Sequence, residues 1–200
     1  MCYVAVNMIT NDRKKEYNCD DLFVNRWSPR AMSGEEISET ELMTLFEAAR
    51  WSPSSFNEQP WKFLYAKRDT KNWDVFFNLL TDGNKLWCKD AAVLIMVVGK
   101  KNFAYNNNPN KTFHFDSGAA WENLALQANI MHLVSHGMVG FDFEKAKKEL
   151  DVSDDYQVLA MIAIGKPGKK ENLPPQLQKV EFPNDRKKVS EFVTEGKFKR

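Results

Sequence analysis

The sequence predicts one domain of mixed helices and strands, and three observations predict it. At 200 residues the chain has the length of a single domain with a useful core. Residues 61–66, 91–99 and 156–165 carry strand patterns, and residues 38–50, 73–80, 116–136 and 143–150 carry helical apolar spacing. The composition, 43% hydrophobic and 28% charged, is that of a folded chain rather than a disordered one.

Residues 1–22 show no clear pattern and form an N-terminal extension. In 38–50, Ser38 and Glu41 have capping-box spacing, Leu42, Leu45, Phe46 and Ala49 share a face, and Pro53 stops the helix. In 61–66, Trp61, Phe63 and Tyr65 alternate with Lys62 and Leu64. Trp73, Phe76, Phe77 and Leu80 mark the next helix, with Gly83 at its end. AAVLIMVVG at 91–99 reads as a central strand covered on both faces. Residues 100–115 are polar and Asn-rich, with Phe103, Tyr105, Phe113 and Phe115 among them, and read as a long surface loop of the kind that forms lids. Asp116 caps a long helix ended by Gly137, whose small residues Gly118, Ala119, Ala120, Ala125 and Ala128 admit a close neighbour. A shorter helix at 143–150 and a third strand at 156–165 follow. From Lys166 the pattern weakens and four prolines appear. A solvated tail and an arm that wraps a partner are both open readings, and Phe182, Val189, Phe192, Val193 and Phe198 favour the arm.

Several functions are excluded or disfavoured. A formal net charge of +1 provides no field for nucleic acid or an acidic membrane. No apolar run approaches the ~20 residues that span a bilayer, and MCYVAVNMIT lacks the basic start of a signal peptide. The expectation is a cytoplasmic chain. Cys2, Cys19 and Cys88 are widely spaced and odd in number, which suits free thiols in a reducing compartment. His132 and His136 share a face if helical, but no further ligand is suggested beside them, so no metal is expected. Dinucleotide, P-loop and hydrolase-elbow motifs are absent.

Two stretches need another explanation. WSPSSFNEQPW, residues 51–61, crowds hydroxyls, amides and prolines into a connection that needs only a few residues. Arg26-Trp27-Ser28-Pro29-Arg30 places Arg26, Ser28 and Arg30 on one side of an extended chain, suited to a phosphate or a flat polar heterocycle. Two ordinary surface arginines are the alternative.

Taken in order, Arg26-x-Ser28-x-Arg30, Pro53-Ser54-Ser55-x-Asn57-x-Gln59-Pro60-Trp61, Gly118-Ala119-Ala120-x-x-Asn123-Leu124-x-Leu126-Gln127-Ala128 and the stretch 137–142 resemble the FMN-dependent nitroreductase family of NAD(P)H-dependent flavin oxidoreductases. The resemblance runs from about residue 20 to 198. It implies an α+β, three-layer α/β/α fold with a mainly antiparallel central sheet. It implies a homodimer with FMN at each end of an interface built on helix 116–136, and a domain-swapped C-terminal arm. The expected division is an extension at 1–19, an FMN-binding domain at 20–168 and the arm at 169–200.

The resemblance also implies site residues. Arg26, Trp27 and Ser28 would lie near the flavin ring and ribityl, and Arg30 near the phosphate. Arg186, or Lys187 in its stead, would be the second phosphate ligand. Pro53, Ser54, Ser55, Asn57 and Gln59 would reach across the dimer to the flavin. Asn84 is either a ring contact or a turn residue. The backbone at Val139 and Gly140 would face flavin N5. Several relatives carry an acid where Val139 stands, a departure that touches substrate and nicotinamide contacts. Trp27, Trp87, Phe113, Phe115 and Phe141 are either acceptor-pocket rings or core.

The expected chemistry is ping-pong: hydride passes from NAD(P)H to FMN, then to a nitroaromatic, quinone or similar small flat acceptor, with Arg26 stabilising the charge that develops on the ring and no protein nucleophile. The competing readings are an FMN-storage protein, a dehalogenase or azoline oxidase on the same fold, and a plain dimeric interaction module.

Overall fold

In the computed structural model, which describes residues 12–198, the apolar run becomes strand β2 (Val93–Lys100), buried from Val93 to Gly99. It pairs antiparallel with β1 (Trp61–Lys67) on one side and with β4 (Tyr156–Gly165) on the other. A short strand, β3 (Val134–Met138), pairs antiparallel with β4 and closes the order β1-β2-β4-β3. A bulge between Val97 and Val98 shifts the β2–β4 register, so Val97 faces Ala160 while Val98 faces Val158.

The two-residue period of β2 divides the core. Val93, Ile95 and Val97 pack with Leu42, Leu45 and Ala49 of α2 (Glu39–Arg50) and Ala120, Leu124 and Ala128 of α5 (Phe113–Ile130). Leu94, Met96 and Val98 pack on the opposite face. Their neighbours are Phe76 of α3 (Trp73–Phe77), Trp87 of α4 (Asp82–Cys88) and Ala146 of α6 (Phe143–Glu149). The result is the expected three-layer α+β fold. The Ser38–Glu41 capping box forms as the sequence predicts, with Ser38 N–H on Glu41 Oε2 at 2.7 Å and Glu41 N–H on Ser38 Oγ at 3.1 Å.

Three expectations are corrected. The helix expected at 116–136 starts earlier, at Phe113, and ends at Ile130. Leu133 N–H returns to Ala128 O at 2.8 Å, His132 takes a left-handed φ of 56°, and the chain reverses into β3. His132 and His136 therefore share no helix face, and the described residues contain no group of three or more His, Cys, Asp or Glu able to hold a metal. The helix expected at 73–80 stops at Phe77, Leu80 instead bridges to Phe141, and Gly83 lies inside a separate helix, α4, rather than ending one. Phe113 and Phe115 belong to α5, not to the preceding loop.

The C-terminal segment is ordered where it begins. Met32 bridges to Pro167, Ser33 N–H bonds to Lys166 O, and Gly168 N–H bonds to Ala31 O at 2.9 Å. Leu173, just before α7 (Pro175–Gln178), is buried, while Phe182, Phe192, Val193 and Phe198 stay exposed. No described helix is long and apolar enough to cross a membrane.

A Cβ at Gly168 would lie 2.4 Å from the backbone carbonyl of Met32. Gly168→Ala is expected to cost about 1–3 kcal/mol, read as a melting temperature lowered by several degrees in calorimetry. An unchanged melting temperature would contradict the docking of this segment on Met32.

Candidate functional site

The short helix α1 (Asp21–Asn25) ends at Arg26, from which the chain runs extended. Arg26 Nη1 donates to Ser28 Oγ at 3.2 Å, and Arg26 Nε lies 3.9 Å from Glu122 on α5. Burial pushes the Arg26 guanidinium below its ordinary pKa, Glu122 opposes this, and the nearby Arg186 charge adds to it. Arg13 is pushed down in the same way, by burial first, then by Arg186 and Arg26, against Asp185. Three guanidinium groups thus lie in one field. All stay protonated, so the arrangement favours an anion among them. Arg186, not Lys187, has this coupling among the described residues.

Arg30 is turned elsewhere. Its N–H and that of Ala31 donate to Glu181 Oε1 at 2.6 and 2.9 Å, and its guanidinium lies 3.6 Å from Glu181 Oε2. Glu181 comes from the C-terminal segment and its side chain is 3% exposed. The sequence predicts Arg26, Ser28 and Arg30 on one side. Arg26 and Ser28 do meet, but the buried carboxylate claims Arg30.

A chain of contacts leads from this segment to the far end of β3. Pro29 O lies 3.0 Å from His136 Nδ1. A carbonyl only accepts, so Nδ1 carries the hydrogen. The His136 ring packs on Trp87 at 4.6 Å, and Trp87 Nε1 donates to Asn84 Oδ1 at 3.3 Å. Asn84 Nδ2 donates to Gly140 O at 3.0 Å, and the Thr81 N–H and hydroxyl donate to the same oxygen at 3.0 and 3.1 Å. Three donors on one carbonyl fix that peptide. A Cβ at Gly140 would sit 2.5 Å from Asn84 Nδ2, so the approach depends on glycine. The β3 ladder ends at Met138, and Val139 beyond it is 68% exposed. Asn84 is therefore a helix residue holding the loop, not a turn residue.

Residues 53–59 lie apart. Ser55 N–H donates to Asp116 Oδ2 at 3.2 Å, near the start of α5, while Arg26 meets Glu122 farther along it. Phe56, Asn57 and Gln59 have φ of 52°, 55° and 50°. Such clustered left-handed residues cost of order 1 kcal/mol each and mark functional segments. Ser54 Oγ accepts from Gln59 N–H, and Gln59 Nε2 donates to Asn57 O. The Ser55 hydroxyl and the Asn57 amide make no hydrogen bond among the described residues, and Pro53 is exposed. No described contact joins this segment to Arg26, Asn84, Gly140 or Arg186.

The expected acceptor rings do not form one wall. Trp87, Phe113 and Phe141 are core side chains, Trp27 is half-buried, and of the five only Phe115 is exposed. Trp27 lines a cavity of ≈ 180 Å³ with Pro29, Val134 and Glu181, and the cavity beside Arg26 holds ≈ 20 Å³. A separate one of ≈ 220 Å³, between Ser117, Trp121, Phe143 and Leu159, contains no predicted cofactor residue. Sequence reasoning missed Arg13, Thr81, His136 and Glu181 as parts of this end. Of these, His136 alone is singled out by the sequence, as a metal-ligand candidate.

The sequence pattern described as the Nitroreductase family matches residues 24–84 and 71–166. A solved structure described as an oxidoreductase containing FMN is 39% identical, with a TM-score of 0.92, covering 95% of this chain and 98% of that one. Protein DrgA of Synechocystis sp. is 28% identical over 173 residues, 70% of this chain and 81% of its own. An Archaeoglobus fulgidus protein with the provisional name NADH dehydrogenase/NAD(P)H nitroreductase is 28% identical over 153 residues, 74% of this chain and 85% of its own.

Burial holds His136 below its ordinary pKa of 6.5, against the Pro29 hydrogen bond. The unfolded chain then binds more protons than the folded one below pH 6.5, so this contribution is complete above 6.5 and is lost as pH falls toward the folded value. His136→Asn is expected to flatten the fall in melting temperature below pH 6.5. An equally steep fall in the variant would contradict a neutral, buried His136.

Proposed function

Because this chain belongs to the nitroreductase family, we propose that it is an FMN-dependent oxidoreductase that takes reducing equivalents from NAD(P)H and passes them to a flat acceptor such as a nitroaromatic or a quinone. The observation that carries this reading is the pairing of Arg26, Ser28 and Arg186 at one end with the Asn84-locked Gly140 loop at the other, joined through Pro29, His136 and Trp87. The 39% identical oxidoreductase containing FMN supports the cofactor.

The donor set fits the cofactor's two ends. We assign its phosphate to Arg26, Ser28 and Arg186, since the cations gather there, and the ring side to Arg30, Asn84, Val139 and Gly140. This exchanges the roles expected for Arg26 and Arg30, because the Arg30 guanidinium faces the buried Glu181 carboxylate. The chemistry that FMN supplies when bound is hydride acceptance from a nicotinamide and return of the electrons to an acceptor. The residues bind and orient. Thr81 and Asn84 fix the Gly140 peptide, and exposed Val139 would border the place that donor and acceptor use in turn. No protein nucleophile is required.

A second copy completes the site. The cavities beside Arg26 and Trp27, ≈ 20 and ≈ 180 Å³, fall short of the roughly 300–1,000 Å³ of ligand pockets. Phe115, Glu122 and Ile130 are exposed along one side of α5, with half-buried Ala119 and Leu126 between them. In a homodimer packed on this helix, residues 53–59 of each chain would reach the other's cofactor, and residues 169–200 would act as the arm. Free Cys19 and Cys88 support a reducing compartment, which we take to be the cytoplasm.

Steady-state rates measured with NADH or NADPH against menadione should give parallel double-reciprocal lines, and intersecting lines would contradict alternating use of one slot. Arg26→Ala should weaken FMN binding by about 10- to 100-fold, the worth of a charge-assisted contact. Unchanged FMN affinity would remove Arg26 from the site.

A further inference from the structure

The N-terminal segment before the family match, which begins at residue 24, is fastened to the arginine cluster at several points. Arg13 Nη1 donates to Val24 O and to Arg26 O, each at 3.0 Å. Arg13 Nη2 donates to Asn184 Oδ1 at 3.4 Å, and Arg186 Nη1 donates to the same oxygen at 3.2 Å. One side-chain amide thus holds two guanidinium groups against their repulsion. Three residues further on, Glu16 Oε2 accepts from Val189 N–H at 2.8 Å. Asn184 and Val189 flank Arg186 in the chain, so the segment grips the C-terminal stretch on both sides of that arginine.

Like charges gathered this way cost free energy unless opposite charge is present. Glu122, 3.9 Å from Arg26, and Asp185, which opposes the shift at Arg13, offset part of it. A phosphate group would add opposite charge beside the three guanidinium groups.

We propose that residues 13–16 form a strap that holds Arg186 beside Arg26, making Arg13 a positioning residue and third cation for the phosphate of FMN. The proposal rests on the FMN reading above. Its geometry is specific to arginine: one fork reaches two backbone carbonyls and the Asn184 side chain at once, which an ammonium group does not reproduce.

The test is equilibrium fluorescence titration of the full-length apoprotein with FMN and, separately, with riboflavin, which lacks the phosphate. Arg13→Ala should weaken FMN binding by about 10- to 100-fold and leave riboflavin affinity within about twofold. Asn184→Ala, at an exposed position whose loss does not threaten folding, should give a smaller loss, also confined to FMN. Unchanged FMN affinity in both variants would overturn the proposal. Equal losses for both flavins would also overturn it, showing that Arg13 supports this face generally. A wild-type chain that binds neither flavin would overturn the FMN reading itself, and this proposal with it, a result distinct from either variant outcome.

Discussion

The candidate site depends on one buried carboxylate. Glu181 accepts the N–H groups of Arg30 and Ala31 and faces the Arg30 guanidinium. A carboxylate at this depth is tolerable only with such partners, so the contact forces the C-terminal segment back onto residues 30–32. Two consequences follow. The 26–31 segment is held extended, presenting Pro29 O to His136. The chain beyond Glu181 is delivered to the far side of Arg26, where Asn184 and Arg186 meet Arg13. A single hydrogen-bonded charge therefore orders both the chain of contacts from Pro29 to Gly140 and the cationic cluster.

The scaffold beneath is set by β2. A strand buried on both faces needs helices on both, and the two layers serve different purposes. The layer holding α3, α4 and α6 carries Thr81, Asn84 and Trp87 to the Gly140 loop. The layer holding α2 and α5 leaves one side of α5 uncovered. The first layer fixes contacts within the chain, while the second retains an apolar surface that a second copy would bury. The Ser54–Asn57 turn, with left-handed φ at Phe56 and Asn57, is tied to buried Asp116 near the start of α5 and makes no described hydrogen bond to Arg26 or Arg186.

Much of this was legible in the sequence because the relevant signals are local. The Ser38–Glu41 box, the alternation in β1 and the unbroken apolar run of β2 each report one element without help from distant residues. β3 was hidden because Val134–Met138 is short and follows a helix whose apolar pattern runs on into it. The break comes from Leu133 N–H returning to Ala128 O, a backbone event with no residue signature. Of the residues proposed for the site, Arg26, Ser28 and Gly140 stand in the quoted motifs, while Asn84 and Arg186 are single positions implied by the resemblance. Their grouping was not legible, because it depends on Glu181 and Arg13, which lie 151 and 13 residues from their partners Arg30 and Arg26. Extended-chain alternation placed Arg30 with Arg26, and a long-range charge pair overrode it.

The central claim is that this fold holds FMN and exchanges electrons with a pyridine nucleotide. The most direct measurement is an absorbance spectrum of the purified protein, followed by anaerobic addition of NADH and then NADPH. The account predicts flavin bands that bleach with at least one donor. A protein that is colourless and takes up no added FMN would contradict it.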